Sequence, residues 1–343
     1  MKTILVTGGA GFIGCNFVRH LYRAYPDYRI LVLDLLTYAG DVDNLPTDFH
    51  HQNQQIEFWY GDVRNASLAE SLIKRSDVVV HFAAETHVTR SIFDNYHFFE
   101  TDVLGTQTIA NAVLRCADRV ERFIHISTSE VYGTARSERM SEEHALMPLS
   151  PYASAKAGAD RLVYSYFATY DIPAIIVRPF NNYGPRQHLE KVVPRFITSC
   201  LLGEPLRVHG DGSAMRDWTF VDDTCAALDA VMHADLRALR GEVVNIGAGE
   251  SISIAEIARI VIRMMGASES LITYVGERPG QVFRHTADRS KACRMLGWQP
   301  RVDFEEGLKR TIDWYAGHRD WWQKQLWMRE IPVVTRSGNQ EMH

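Results

Sequence analysis

KTILVTGGAGFIG, residues 2–14, joins an unbroken apolar run to glycines at 8, 11 and 14. The run Ile4-Leu5-Val6 has no polar alternation, which predicts a strand buried on both faces rather than one half-exposed to water. The glycines follow it at once, and an apolar-periodic stretch from Phe12 to Tyr25 follows them. Strand, tight turn and helix are therefore expected in that order. Gly8 permits the turn. Gly11 lets an anion approach the backbone amides where Phe12 and Ile13 open the helix, and Gly14 lets the helix pack close.

The same alternation continues outward. RILVLD, IEFWYGD, DVVVHFAA, RFIHIS and AIIVRPF read as further strands. Helical patterns lie between them over Ser67 to Lys74, about Tyr96 to Cys116, and Tyr152 to Tyr170. Apolar runs alternating with helices indicate a doubly wound α/β fold, a parallel sheet covered on both faces, of Rossmann type. After about residue 181 prolines and glycines break the chain into shorter pieces, with helices near 191–202, 222–234, 253–265 and 304–316. Residues 1–180 are expected to form a dinucleotide-binding domain and 181–330 a smaller α/β substrate domain, with segments interleaved. The polar stretch 37–55 has no clear period, and residues 331–343 read as a tail.

RILVLD ends on Asp34, about twenty residues after Gly14, where a carboxylate can accept hydrogen bonds from an adenosine ribose. Leu35, Leu36, Thr37 and Tyr38 supply no Arg or Lys for a 2′-phosphate, so NAD is expected rather than NADP. Asp62 closes the third strand and is placed to meet adenine through its side chain or the Val63 amide, or to serve as an ordinary strand-end Asp. Ala83, the penultimate residue of DVVVHFAA, is placed on the same cofactor edge.

A net charge of −5, with no cluster of five Lys or Arg, argues against nucleic-acid or membrane-surface binding and towards a small-molecule partner. No run of eighteen apolar residues occurs, and MKTILVTGG starts a strand without the pattern of a signal peptide, so a cytoplasmic location is expected. Five scattered cysteines without CxxC suggest neither a disulfide frame nor a metal site.

HISTSEVYG, residues 125–133, crowds Ser127, Thr128, Ser129 and Glu130 onto a strand end. Ligands of an open parallel sheet bind outside the carboxyl ends of its strands, which gives these side chains work to do. Of fourteen tyrosines only Tyr152 has a Lys four positions on, Lys156, and that spacing puts both on one helix face. An ammonium beside a phenol stabilises the phenolate, with the positive ring of an oxidised nicotinamide helping further. Tyr152 could then take a proton from a sugar hydroxyl held by Thr128. Glu130 offers a carboxylate for a second proton transfer.

With these residues in place the chain resembles the extended short-chain dehydrogenase/reductase superfamily, and within it the nucleotide-sugar 4,6-dehydratases. DLLTYAGDVDNL (34–45), HFAAETHVTRSI (81–92), RPFNNYGPRQHLEKVVPRFI (178–197), HGDGSAMRDWTFVDD (209–223) and ERPGQVFRHTADRSKACRMLGW (277–298) look most like the dTDP-glucose 4,6-dehydratase branch. The resemblance implies oxidation at C4 of a nucleoside-diphosphate hexose by Tyr152 and Lys156, removal of the C5 proton by Glu130, loss of water from C6 and return of the hydride to C6. It also places Thr86, Asn181, Lys191, Arg216 and Arg278 near the substrate, and implies a homodimer through helices near 96–116 and 152–170. Where Thr-Asp-Glu is usual, this chain reads Thr128-Ser129-Glu130, so a serine replaces the acid expected at the C6 hydroxyl. Asp102, where Asn is common, and Thr89, where Asp is frequent, are smaller departures. A 4-epimerase or a UDP-glucuronate-type decarboxylase shares the C4 oxidation and is the alternative; a non-catalytic dinucleotide-binding protein is a more remote one.

Overall fold

The central expected strands form because their apolar runs leave no face for water, whereas the edge strand Ile56–Tyr60 is only partly covered. All five residues of β1 (Thr3–Thr7) are buried, as are five of the six in β2 (Arg29–Asp34). They are joined by β3 (Ile56–Tyr60), β4 (Val78–His81), β5 (Arg122–Ile126) and β6 (Ala174–Pro179). Beyond them β7 (Asn181–Tyr183), β8 (Leu206–His209) and β9 (Met215–Phe220) lie apart, whereas β10 (Val243–Ile246) returns to pair with β6. The result is a seven-stranded sheet in the order β10-β6-β5-β4-β1-β2-β3, parallel throughout. This is the doubly wound α/β fold expected from the sequence. The computed structural model describes residues 2–46, 55–277, 280–329, 332–334 and 340–342. Parts of the polar stretch and of the tail, and the whole of Arg278, lie outside the described residues.

Helices cover both faces. Phe12–Ala24 and Val221–His233 pack on one, where Phe17, Leu21 and Leu228 meet Ile4, Val6 and Val32. Ala66–Ile73, Thr106–Arg115 and Pro151–Tyr170 cover the other, through Leu72, Ile109 and Val163. Each such aliphatic side chain contributes about 1.5–3 kcal/mol by leaving water. The strand order reverses at β1, which lies between β2 and β4. That reversal opens a crevice at the carboxyl ends of β1 and β4, where a doubly wound sheet takes its ligand.

A second body stands over this edge. β9 pairs in parallel with β7 and antiparallel with β11 (Ser251–Ser253), and β8 pairs with β12 (Ile272–Val275). Helices Val192–Leu202, Ile254–Met265 and Phe304–Gly317 enclose its core. The Trp-rich stretch closes that core: Trp322 is wholly buried and its indole donates to the Tyr315 carbonyl at 2.8 Å. No helix among the described residues is long and apolar enough to cross a membrane.

One expected helix differs. Instead of running unbroken from Tyr96 to Cys116, the chain makes a short turn at Tyr96–Phe98, a π-helical segment at Phe99–Gly105 and a regular helix at Thr106–Arg115. The wider turn carries Asp102 to complete burial, where its Oδ1 accepts the Glu85 amide at 2.7 Å. Segments of this kind recur beside functional sites.

Candidate active site

A cleft of about 450 Å³ runs from the glycine turn across the ends of β4 and β5 to the second body. At its first end Gly8 has φ +68°, and a Cβ added there would stand 2.5 Å from the Ala83 amide nitrogen. A Cβ at Gly14 would run into the Gly8 carbonyl oxygen. Both positions therefore need glycine, and the space they preserve is a cradle of backbone amides at a helix N-terminus, suited to a pyrophosphate. Phe12, Ile13, Asp62, Val63 and Ala83 line the same end.

Asp34 is nearly buried and accepts the Ala10 amide at 2.9 Å and the Leu36 amide at 2.8 Å. Burial raises its pKa, against the pull of those amides. The carboxylate thus fixes the glycine turn and the loop after β2 together, and its remaining lone pairs are open to a ribose. Asp62 is bound by the guanidinium of Arg64 at 2.6 Å. Burial pushes its pKa up, but Arg64 outweighs that and holds the carboxyl below its ordinary value. These residues fit NAD, the cofactor expected from the sequence.

In the middle of the cleft the helix Pro151–Tyr170 begins where Ser150 accepts the Ala153 amide at 3.2 Å and Pro151 occupies the first turn. This start fixes Tyr152 and Lys156 one turn apart, both buried. The Lys156 ammonium donates to the Ile126 carbonyl oxygen at 2.7 Å, which ties the helix to the end of β5. Thr128 hydrogen-bonds the Tyr152 hydroxyl and accepts the Glu130 amide at 3.2 Å. Tyr152, Lys156, Thr128, Ser129 and Glu130 all line one cleft.

The electrostatics differ from the expected picture. Burial, then the nearby Asp102 carboxyl, holds the Tyr152 phenol above its ordinary value, and the Thr128 hydrogen bond only partly offsets this. Burial also lowers Lys156, against Asp102 and Asp160. The lowering of the phenol expected from Lys156 is therefore not delivered by the protein alone. Behind the pair His81 bridges Thr7 Oγ1 at 2.6 Å and Thr106 Oγ1 at 3.0 Å, kept neutral because burial, then Lys156, brings its pKa to about 3.

Among the residues expected near the substrate, Thr86, Asn181, Lys191 and Arg216 line the cleft. Lys191 donates to the Thr86 carbonyl oxygen at 2.9 Å and joins the two bodies. Arg216 is almost wholly buried, with its Nε 4.0 Å from Glu130 Oε1, so it stands beside that carboxylate. Arg278 lies outside the described residues.

Sequence reasoning passed over Glu190, whose buried carboxylate accepts from Tyr38 and Arg90, and His285, which lies against Ser129 and Glu130. It also passed over Arg195, Arg207 and His209, which line the far end of the cleft. The segments LTYAG, RSI and EKVVP held the first signal, as polar residues with no assigned role.

Comparison with known proteins gives a consistent set of similarities. The family model described as GDP-mannose 4,6 dehydratase matches residues 5–311. The chain is 46% identical to the low-salt glycan biosynthesis protein Agl12 of Haloferax volcanii, over 92% of this chain and 98% of that one. It is 42% identical to a dTDP-glucose 4,6-dehydratase of Streptomyces antibioticus, over 93% of this chain and 94% of that one. The crystal structure of DesIV, a dTDP-glucose 4,6-dehydratase from Streptomyces venezuelae with NAD bound, matches with a TM-score of 0.89 at 42% identity, covering 94% of this chain and 100% of that one.

Proposed function

The chain belongs to the GDP-mannose 4,6-dehydratase family and is an NAD-dependent nucleotide-sugar 4,6-dehydratase, and from that premise we propose that dTDP-glucose is the hexose nucleotide it acts on. The observation that carries the assignment of roles is the convergence of Tyr152, Thr128 and Glu130 on the cleft that the glycine turn opens.

In this reading Thr128 and Tyr152 hold the C4 hydroxyl, and Tyr152 takes its proton. Lys156 fixes the helix against β5 and places a positive charge beside the phenol. The chemistry NAD supplies when bound is reversible hydride transfer, out of C4 and back to C6. Once C4 is a ketone the C5 proton is acidic, and Glu130 removes it. Arg216 stands 4.0 Å from that carboxylate. Water then leaves from C6, giving a 4-keto-6-deoxy sugar for deoxysugar synthesis. Asn181, Lys191, Arg216 and Arg278 take the nucleotide side, since a diphosphate calls for charge-assisted donors.

The same reading makes residues 1–180 the NAD-binding half and 181–330 the nucleotide-sugar half, with Val221–His233 and Val243–Ile246 returning to the large sheet. It makes the protein a homodimer, supported by the exposed apolar side chains Tyr96, Phe99, Leu104 and Tyr164 on the helical segments near 96–116 and 152–170. A cytoplasmic location is supported by five cysteines that are all free thiols.

Incubating the enzyme and NAD with dTDP-, UDP-, GDP- and CDP-hexoses, then weighing the products, tests the reading. Loss of the mass of one water from dTDP-glucose is expected. Products of unchanged mass with inverted stereochemistry, or loss of carbon dioxide from a glucuronate, would replace it with the epimerase or decarboxylase reading.

A further inference from the structure

A serine stands at residue 129, where a proton donor to the C6 hydroxyl is needed, yet it is no isolated hydroxyl. Its Oγ lies 3.3 Å from Nδ1 of His285, a ring wholly buried behind the cleft. The other nitrogen, Nε2, lies 2.8 Å from the Gly133 carbonyl oxygen. A carbonyl only accepts, so Nε2 carries the hydrogen and Nδ1 turns its lone pair to Ser129. Burial, ahead of the opposing charge of Glu130, brings the His285 pKa down to about 4, and the resting ring is neutral.

The same Nδ1 lies 3.8 Å from Glu130 Oε1. One bare nitrogen thus faces both the carboxylate and the serine hydroxyl. The ring is held in place: the His285 amide donates to Met215 at 3.1 Å, the Ala135 amide donates to the Arg284 carbonyl at 3.0 Å, and Phe180 packs against the imidazole at 6.1 Å. Packing alone would be served by an apolar ring, and Gly133 alone by any donor. Only a basic nitrogen can also take a proton from Glu130 and give one to Ser129.

We propose that His285 and Ser129 form a relay that carries the proton Glu130 takes from C5 to the departing C6 hydroxyl. The relay rests on the dehydratase reading above. The proton from C5 goes to Glu130, and the C5–H electron pair becomes the C5–C6 π bond. The C6–O pair leaves with its oxygen, which takes the Ser129 hydroxyl proton. Ser129 regains a proton from Nδ1 of His285, which receives it from Glu130. The sum is one water lost and every protein group restored. Ser129 touches the reacting hydroxyl; His285 acts through it and is a positioning residue.

His285→Gln keeps a donor for Gly133 and an acceptor for Ser129 but removes the basic nitrogen. With NAD and dTDP-glucose in heavy water, mass spectrometry reads deuterium at C5 and water loss separately. In His285→Gln, and in Ser129→Ala, exchange at C5 continues while water loss slows by about 10²–10⁴-fold. Adding Ser129→Asp to His285→Gln, so that a carboxyl brings its own proton, restores water loss. A parallel fall in exchange and water loss, or water loss at the wild-type rate, overturns the relay. A wild-type enzyme that dehydrates none of the sugar nucleotides would instead remove the dehydratase reading, and the relay with it.

Discussion

Glu190 accepts the Nε–H of Arg90 at 3.0 Å with its carboxylate wholly shielded from solvent. The other oxygen accepts the Tyr38 hydroxyl, also at 3.0 Å. Burial alone would raise the carboxyl, but His87, Lys191, His188 and Arg90 together bring it down to about 2. Tyr38 lies in the loop after β2, on the cofactor side; Lys191 begins the helix Val192–Leu202, on the substrate side. One buried charge therefore holds both walls of the cleft in register.

Removing that carboxylate leaves Arg90 without its buried partner, so Glu190→Ala is expected to cost about 3–5 kcal/mol of stability. Glu190→Gln costs less, because its amide oxygen still accepts from Arg90, but it raises KM for both NAD and sugar more than it lowers kcat. Urea unfolding and steady-state kinetics read the two effects. An alanine variant as stable as the parent would contradict the account.

Tyr152→Phe keeps the ring that packs edge-on against Phe98 at 6.2 Å and deletes only the hydroxyl that Thr128 binds. Turnover is expected to fall by about 10²–10⁴-fold, the usual worth of a positioned acid or base. NAD binding should persist, since the glycine turn and Asp34 are untouched. Product analysis beside a cofactor-binding titration separates the two; substantial turnover by the variant would remove Tyr152 from the chemistry.

The fold was legible because it is written locally. Short, mostly apolar runs mark β1 to β6, and the glycine turn follows the first of them directly, with Gly14 required by a contact inside that turn, to the Gly8 carbonyl oxygen. The pairing of Tyr152 with Lys156 was legible for the same reason, being set by helix pitch. Contacts between distant segments were not. Arg90 and Glu190 are 100 residues apart, Tyr38 and Glu190 are 152 apart, and Ser129 and His285 are 156 apart. Nor does spacing reveal a net pKa: Tyr152 and Lys156 sit together as expected, but burial and Asp102, from a π-turn that reads as ordinary helix, push the phenol upwards.

Gly14→Ala tests the close approach of helix and turn. In an ordinary helix this change gains about 1 kcal/mol. Here the methyl meets the Gly8 carbonyl oxygen, which must move, and the cradle of amides moves with it. The expected outcome is weaker NAD binding with no gain in thermal stability. A more stable variant that binds NAD normally would show that the packing tolerates a side chain.

Asp102 gives a pH-dependent prediction. Its Oδ1 is held by the Glu85 amide, its Oδ2 has no hydrogen-bond partner, and burial raises its pKa well above the ordinary carboxylate range despite Lys156. In the unfolded chain the group titrates near about 3.9. The native state therefore holds the proton more tightly, so the contribution of Asp102 to stability is complete below the unfolded value and is lost as pH rises through the folded one. Asn keeps the acceptor for Glu85 and never ionises. Asp102→Asn should match the wild type in melting temperature at low pH and exceed it by a margin that widens from about pH 4 to about pH 8. Lys156 and Tyr152 on the facing helix, and Glu85 on the adjoining segment, are the charged or titratable groups coupled to it. A margin that stays flat over this range, or that shrinks, would mean that Asp102 is already ionised at neutral pH and that Lys156 compensates its charge.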